Sequence, residues 1–242
     1  MEMQSIITVI GGRDRHPSLA EIERVVAELR PGCILRHPTA SAPGKMGTER
    51  LVGRYVKARG LAEVEPWPTR HAALDGLGSR PPTDLLLALD GGESTKSTIR
   101  AARKRGTPVI EIEPVAEPRI WNRHHGTPPP ALHDPAFEAG IVSSRRPSPI
   151  VYIGRGTPLG NPFELPHDET RAEAVPRILG QYRRWLGLQL RERDPAVVAA
   201  LDEITAEHFV ICSCWPNPCH GELVVRAWRW WNREGRSTVA PT

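Results

Sequence analysis

Short apolar segments alternate with amphipathic ones over residues 1–113, and this alternation limits the possible folds more than any other feature of the sequence. The segment "TDLLLALDGG" is almost wholly apolar, as in strands that a parallel sheet buries on both faces. Helical periodicity follows each strand-like segment, and the first helix begins with a capping box formed by Ser18 and Glu21. This order predicts an α/β fold with a doubly wound, Rossmann-like parallel sheet.

After residue 113 the sequence becomes rich in proline and serine. We expect a linker there, together with a strand at "RIWNR" that enters a second domain. Two further strand-like segments and three helical ones follow, which predicts a second, smaller α/β domain. The predicted parts are an N-terminal domain (1–113), a linker with its entry strand (114–149), a C-terminal domain (150–236) and a tail (237–242).

Composition excludes some classes of protein. No apolar run approaches the roughly 20 residues that span a bilayer, so we expect no membrane contact. The four cysteines do not have the pattern of a disulfide framework, which indicates a reducing, cytoplasmic location. The net charge of +4 accommodates a phosphate-bearing ligand or a nucleic acid but requires neither.

Three glycine-containing loops should meet at the carboxyl edge of the N-terminal sheet, where α/β sheets bind ligands. They are "GGRDRH", "SAPGKMGTE" and "DGGESTKST". Backbone N–H groups at helix starts can hold a phosphate, and neighbouring hydroxyl and cationic groups can assist; plain turns are the alternative. The predicted ligand-binding residues are Gly11, Gly12, Arg13, Gly44, Lys45, Gly47, Asp90, Gly91, Gly92, Ser94 and Thr95.

The segments "GGRD", "PGKMGTERLVGRYVKARG" and "DLLLALDGGESTKSTIRAARKRGTPVI" resemble the SLOG superfamily over residues 5–113. That superfamily includes the YspA-like proteins, the Lonely guy phosphoribohydrolases and DprA. The resemblance implies a Rossmann-like fold, a nucleotide or nucleoside ligand, N-glycosidic chemistry in some members, and a homodimer.

The phosphoribohydrolase branch reads "PGG-x-GT-x-x-E" in its ligand loop. In this chain the proline of that loop is replaced by Asp90, and the glycine before its threonine is replaced by Ser94. The position of the catalytic glutamate is occupied by Thr98. The resemblance therefore carries over ligand binding rather than hydrolysis, although Glu49, Asp90 or Glu93 could replace the missing acid.

The stretch "CSCWPNPCHGE" places three cysteines and a histidine within nine residues. Zinc can be bound tetrahedrally by three thiolates and one imidazole, and these four ligands could be Cys212, Cys214, Cys219 and His220. Alternatively, Cys219 begins the last helix, where the helix lowers a thiol pKa and His220 can assist. Inert packing is the third interpretation, and it suits Cys212 on its strand best. The sequence leaves all three interpretations open, and zinc is the one cofactor that it suggests.

The segments "WNRHHG", "VYIGRGTPLGNPF", "DETRAEAV" and "CSCWPNPCHGE" resemble a small domain of unassigned function in bacterial and phage proteins, over about residues 118–235. The Gly-Arg-Gly loop can direct the Arg155 guanidinium onto a phosphate or carboxylate. A polar cluster beside a Cys-His pair is a candidate site. We assign ligand binding to Asn122, Arg123 and Asn161, and catalysis to Cys219, His220, Arg155, Arg171 and Glu222.

The sequence therefore predicts a protein that binds and processes a nucleotide or nucleoside derivative. N-glycosidic cleavage or transfer is the most natural reaction, and it rests on the SLOG resemblance. The alternative is a non-catalytic nucleotide-sensing or nucleic-acid-associated module with a zinc-stabilised C-terminal domain.

Overall fold

The computed structural model describes residues 4–12, 15–39, 47–76, 81–122, 150–166 and 169–236. The described residues divide into two compact units, one ending at Val115 and the other beginning at Ala116. Residues 123–149 of the predicted linker and the predicted tail (237–242) lie outside the described residues. No helix in the described ranges is long and apolar enough to cross a membrane.

The N-terminal unit is built on a five-stranded sheet whose neighbouring strands all run parallel. The strand order is β3-β2-β1-β4-β5, so the direction of winding reverses beside β1. This order is that of a doubly wound sheet, and it confirms the predicted Rossmann-like α/β fold. The strands are β1 (Ile6–Ile10), β2 (Ile34–Pro38), β3 (Glu63–Trp67), β4 (Leu85–Leu89) and β5 (Val109–Ile112).

Four helices connect these strands: α1 (Leu19–Ala27), α2 (Thr48–Ala58), α3 (Arg70–Asp75) and α4 (Glu93–Lys104). The predicted capping box is present, because the Ser18 side chain accepts from the Glu21 N–H and the Glu21 carboxylate accepts from the Ser18 N–H. Strands β1 and β4 are apolar because helices cover the sheet. Part of the resulting core consists of Ile10, Leu74, Leu86, Ala88, Ile99 and Ala102.

The C-terminal unit contains the second, smaller parallel sheet, as predicted. Its strands are β6 (Arg119–Asn122), β7 (Ile150–Tyr152) and β8 (Phe209–Cys212), in the order β6-β8-β7. Its helices are α5 (Arg171–Glu192), α6 (Pro195–Asp202) and α7 (His220–Trp230), and α7 continues as a π-helical turn (Trp231–Gly235). Because the strands are parallel, the loops that follow them gather at one edge of this sheet.

Candidate functional site

The loop after β8 is held in place by Asn122 at the end of β6. The Asn122 Nδ2 donates to the carbonyl oxygens of Ser213, at 3.2 Å, and of Trp215, at 2.5 Å. An amide nitrogen has two hydrogen atoms, and these two carbonyls use both. Asn122 is predicted to bind ligand, but it is buried, and its donors are spent on shaping the cysteine loop.

Three cysteine sulfur atoms meet at the edge of the C-terminal sheet. The Sγ atoms of Cys212, Cys214 and Cys219 all lie within 4.8 Å of one another, and Cys212 and Cys219 are 2.7 Å apart. Backbone N–H groups donate to two of the sulfurs, from Trp215 to Cys212 at 3.4 Å and from Gly221 to Cys219 at 3.3 Å. Three thiols at this separation could hold a metal ion.

His220 lies beside the sulfur cluster but does not belong to the group of described residues that could hold a metal ion. Its Nε2 donates to the carbonyl oxygen of Ile153 at 2.8 Å, because a carbonyl can only accept. The Tyr182 ring packs edge-on against the imidazole, with 5.4 Å between ring centroids. These contacts leave Nδ1 as the nitrogen that can interact with Cys214.

The lowered thiol pKa belongs to Cys214 and not to Cys219, where the reactive-thiol interpretation of the sequence places it. Hydrogen bonds from the thiols of Cys212 and Cys219, with a smaller contribution from His220, hold the pKa of Cys214 well below its usual value. The hydrogen bond with Cys214 raises the pKa of Cys212 to about 12. Burial raises the pKa of Cys219, so its position at a helix start does not favour the thiolate.

A cavity of about 340 Å³ opens beside Cys214. Six of the residues singled out in the sequence line this cavity: Arg155, Asn161, Arg171, Cys212, Cys214 and His220. The sequence reasoning missed Tyr152 and Phe163, two aromatic side chains that also line it. The position of Tyr152 at the end of a strand is the signal that could have identified it.

The loop after β7 carries two polar groups into this cavity. The Asn161 Oδ1 accepts from the Phe163 N–H at 3.0 Å, so its amide nitrogen remains to donate to a ligand. The exposed Arg155 guanidinium lies 3.6 Å from the Glu164 carboxylate, a solvent-exposed pair that contributes little. Gly160 is required because a Cβ there would lie 2.3 Å from the Gly154 carbonyl oxygen.

Glu222 has a structural role in this arrangement. Its Oε1 accepts from the Cys219 N–H at 3.0 Å and closes a capping box at the start of α7. Glu222 is buried, and neither it nor Cys219 is among the residues that line the cavity. The sequence predicts both as catalytic residues; in the structure they form the capping box of α7, and their catalytic roles stay predictions.

In the N-terminal unit, the carboxyl edge of the sheet is occupied by an arginine that the sequence reasoning missed. The Arg70 Nε donates to the buried carboxylate of Glu49 at 2.7 Å, and its two other nitrogens donate to the Ser94 hydroxyl, at 2.8 Å, and to the Gly11 carbonyl. Glu49 also accepts from the Gly11 N–H at 3.2 Å. Gly11 and Ser94, two of the residues predicted to bind an anion, are therefore engaged with Arg70 and Glu49.

The predicted glycine loops of the N-terminal unit also pack tightly against each other. The Gly12 N–H donates to the Asp90 carbonyl at 3.1 Å. A Cβ at Gly91 would lie 2.2 Å from the Thr95 hydroxyl, and one at Gly11 would lie 2.6 Å from Thr48. These glycines are thus needed for the close approach of loops.

The beginning of α4 is more open. Gly92 is its N-cap, without a side-chain cap, and a Cβ at Gly92 would meet no atom within 4 Å. Gly47 has the same N-cap position at α2. Arg13, Gly44, Lys45 and Arg123, also predicted to bind ligand, lie outside the described residues.

One comparison with known proteins gives a match. A family model described as a domain of unknown function (DUF4326) matches residues 142–230, which include the cavity and the cysteine cluster. The match agrees with the predicted resemblance of this part of the chain to a domain of unassigned function. Searches of curated proteins and of solved structures found no match. The SLOG resemblance of the N-terminal unit stays a prediction.

Proposed function

We propose that the protein binds a nucleotide or nucleoside derivative and processes it in the cavity of the C-terminal unit. The observation that carries this proposal is the convergence of Arg155, Asn161, Arg171, Cys214 and His220 on that cavity. Its volume of about 340 Å³ falls within the range of small-molecule sites. The resemblance of the N-terminal unit to the SLOG superfamily supports the choice of ligand class.

The cavity offers complementary groups for the two halves of such a ligand. Arg155 and Arg171 supply guanidinium groups that can bind a phosphate or a carboxylate in a bidentate manner. Tyr152 and Phe163 supply aromatic surface for a base, and the Asn161 amide supplies a donor to a polar edge. Arg171 forms no hydrogen bond or ion pair with any other described residue, so its charge is available.

The proposed chemistry uses the Cys214 sulfur as a nucleophile and His220 as its proton partner. The sulfur attacks the anomeric carbon of the sugar, so a C–S bond forms while the C–N bond to the base breaks. The departing base keeps the bonding electron pair and takes a proton from solvent, because His220 Nδ1 faces the sulfur. Water or a second acceptor then attacks the same carbon, loses its proton to solvent and releases the thiolate, which the contact with His220 stabilises. N-glycosidic cleavage or transfer results.

A second candidate function is a sensing module whose C-terminal unit is stabilised by zinc. The convergence of three sulfur atoms within 4.8 Å favours it, because zinc bound by thiolates is a common structural centre. In this case the metal would stabilise the fold, and chelation would unfold the unit.

Measurement of the metal content of the purified protein separates the two candidates. One zinc per chain, lost in each of Cys212→Ser, Cys214→Ser and Cys219→Ser, supports the module. A metal-free protein in which iodoacetamide rapidly modifies one cysteine, and in which Cys214→Ser removes that reaction, supports the enzyme.

Ligand binding is tested by thermal shift with the four ribonucleoside monophosphates and their nucleosides. A ligand at 100 times its Kd stabilises the folded state by about 2.7 kcal/mol, which raises Tm measurably. Replacing Arg171 with Gln should weaken binding by about 10-fold to 100-fold, because a charged hydrogen bond is lost. Arg177→Gln, on the same helix but outside the cavity and paired with Glu169, is the matched control. If no compound raises Tm, or if Arg171→Gln responds as the unaltered protein does, the proposal is wrong.

A further inference from the structure

A second concave surface lies between α5 and α7 and shares no lining residue with the cavity of the proposed function. It is a groove of about 580 Å³, which we name the Arg-Trp groove. Its lining residues are Gly180, Arg183, Arg184, Gly187, Leu190, Arg191 and Trp230. None of these residues is acidic, so the groove carries a concentrated positive charge.

The three arginines of the groove are exposed and have no partner among the described residues. They lie on one helix, and Arg183 and Arg191 are separated by eight residues, or about 12 Å along the axis. Exposed guanidinium groups that no carboxylate neutralises attract polyanions. The spacing allows them to contact successive phosphates of one strand.

The glycines of the groove have no explanation in packing. Gly180 and Gly187 lie inside a 22-residue helix, where glycine is less favourable than alanine. A Cβ at either position would meet no atom within 4 Å, so the fold does not require glycine there. Because glycine has no side chain, the helix backbone forms a low surface at these two positions, on which a planar group such as a base can lie.

Trp230 differs from its neighbours in the same helical segment. The Trp228 and Trp231 indole nitrogens donate to the Ile204 carbonyl, at 2.7 Å, and to the Asp202 carboxylate, at 2.9 Å. Trp231 is almost fully buried, whereas Trp230 is 38% exposed and lies against the groove. An exposed indole beside unpaired arginines is suited to stacking with a nucleic-acid base.

We infer that the Arg-Trp groove binds a single strand of nucleic acid. Its phosphates contact Arg183, Arg184 and Arg191, and one base stacks on Trp230 above the low surface at Gly187. This inference does not depend on the proposed function, because the groove and the cavity use different residues.

The test uses a fluorescein-labelled twelve-nucleotide oligothymidylate and the full chain, with binding followed by fluorescence anisotropy between 50 and 200 mM NaCl. Three phosphate contacts predict a slope of about −2 in a plot of log K against log salt concentration. Arg183→Gln and Arg191→Gln should each reduce that slope by about 0.7. Trp230→Ala should weaken binding about 10-fold without changing the slope. Arg177→Gln is the control, because it lies on the same helix but pairs with Glu169.

A glycine variant separates a role in binding from a role in folding. Gly187→Ala should raise Tm by about 2 °C, because alanine favours the helix, and should weaken oligonucleotide binding, because its methyl group raises the groove floor. The inference is overturned if the oligonucleotide does not bind at 50 mM NaCl, or if a duplex of the same length binds equally well. It is also overturned if Arg171→Gln abolishes binding while the groove variants bind normally.

Discussion

The two units place an arginine in the same local setting and use it in opposite ways. Arg70 is the first residue of α3 and Arg171 is the first residue of α5, and each follows a capping threonine. Arg70 is nearly buried and donates to Glu49, Ser94 and Gly11. Arg171 is exposed, lines the cavity and forms no interaction with other described residues.

The difference arises from what lies opposite each arginine. In the N-terminal unit the buried carboxylate of Glu49 neutralises the charge, so the guanidinium holds loops together. In the C-terminal unit the described lining of the cavity contains no carboxylate, so the charge faces open space. A Thr-Arg helix start therefore predicts where a cation lies but not whether a ligand or the protein itself will use it.

The largest change in the free energy of unfolding is expected when the charge on Glu49 is removed. Glu49→Gln leaves the Arg70 guanidinium, whose side chain is only 11% exposed, without its carboxylate. Breaking a buried ion pair from one side should lower the free energy of unfolding by about 3 kcal/mol, measured by urea denaturation followed by circular dichroism. Glu111→Gln is the control, because the Glu111–Arg103 pair is exposed and should contribute less than about 0.5 kcal/mol. Equal stability of the Glu49 variant and the unaltered protein would remove the contrast between the two arginines.

The second-largest change in stability is expected at Asn122, and it tests whether this residue holds the cysteine loop of the C-terminal unit in place. Asn122→Ala removes the hydrogen bonds from this side chain to the Ser213 and Trp215 carbonyls and should lower the free energy of unfolding by about 2 kcal/mol. The loosened loop should also expose the cysteine cluster, so mass spectrometry after iodoacetamide treatment should find more than one modified cysteine in residues 212–219.

Asn161→Ala is the comparison for this variant, because Asn161 lines the cavity but bonds only to its own turn. It should leave the number of modified cysteines unchanged. If both variants react alike, Asn122 does not have the positioning role proposed for it.

Much of the fold follows from local signals. The Ser18–Glu21 capping box and the apolar strand at Leu85–Leu89 depend only on neighbouring residues, so the sequence predicts them correctly. The gathering of Arg155, Asn161 and His220 follows from topology, because loops after parallel strands meet at one edge.

Other features depend on packing that no local pattern records. Glu49 and Arg70 are 21 residues apart and meet only because α2 and α3 start at the same edge of the sheet. The order of the cysteine pKa values depends on burial, which raises the pKa of Cys219 in spite of its position at a helix start. Sequence reasoning identified the cysteine group, and its reactive-thiol interpretation placed the thiolate at Cys219, whereas the lowered pKa belongs to Cys214.

The smallest expected change is in the pH dependence of stability, and it again tests the difference between the two units. Burial, together with repulsion from Arg50 and Arg54, lowers the pKa of His37 at the end of β2 below its usual value of 6.5. Above pH 6.5 the imidazole is neutral in both the folded and the unfolded chain. Below that pH the unfolded chain binds a proton that the folded chain resists, so stability should fall as the pH decreases toward the folded-state pKa. His37→Asn should unfold with a weaker pH dependence between pH 7 and pH 5, measured by urea denaturation at each pH. Parallel curves for the two proteins would mean that His37 is hydrated in the folded state. The contrast between the N-terminal sheet edge, where polar groups pair with one another, and the open C-terminal cavity would then rest on Arg70 alone.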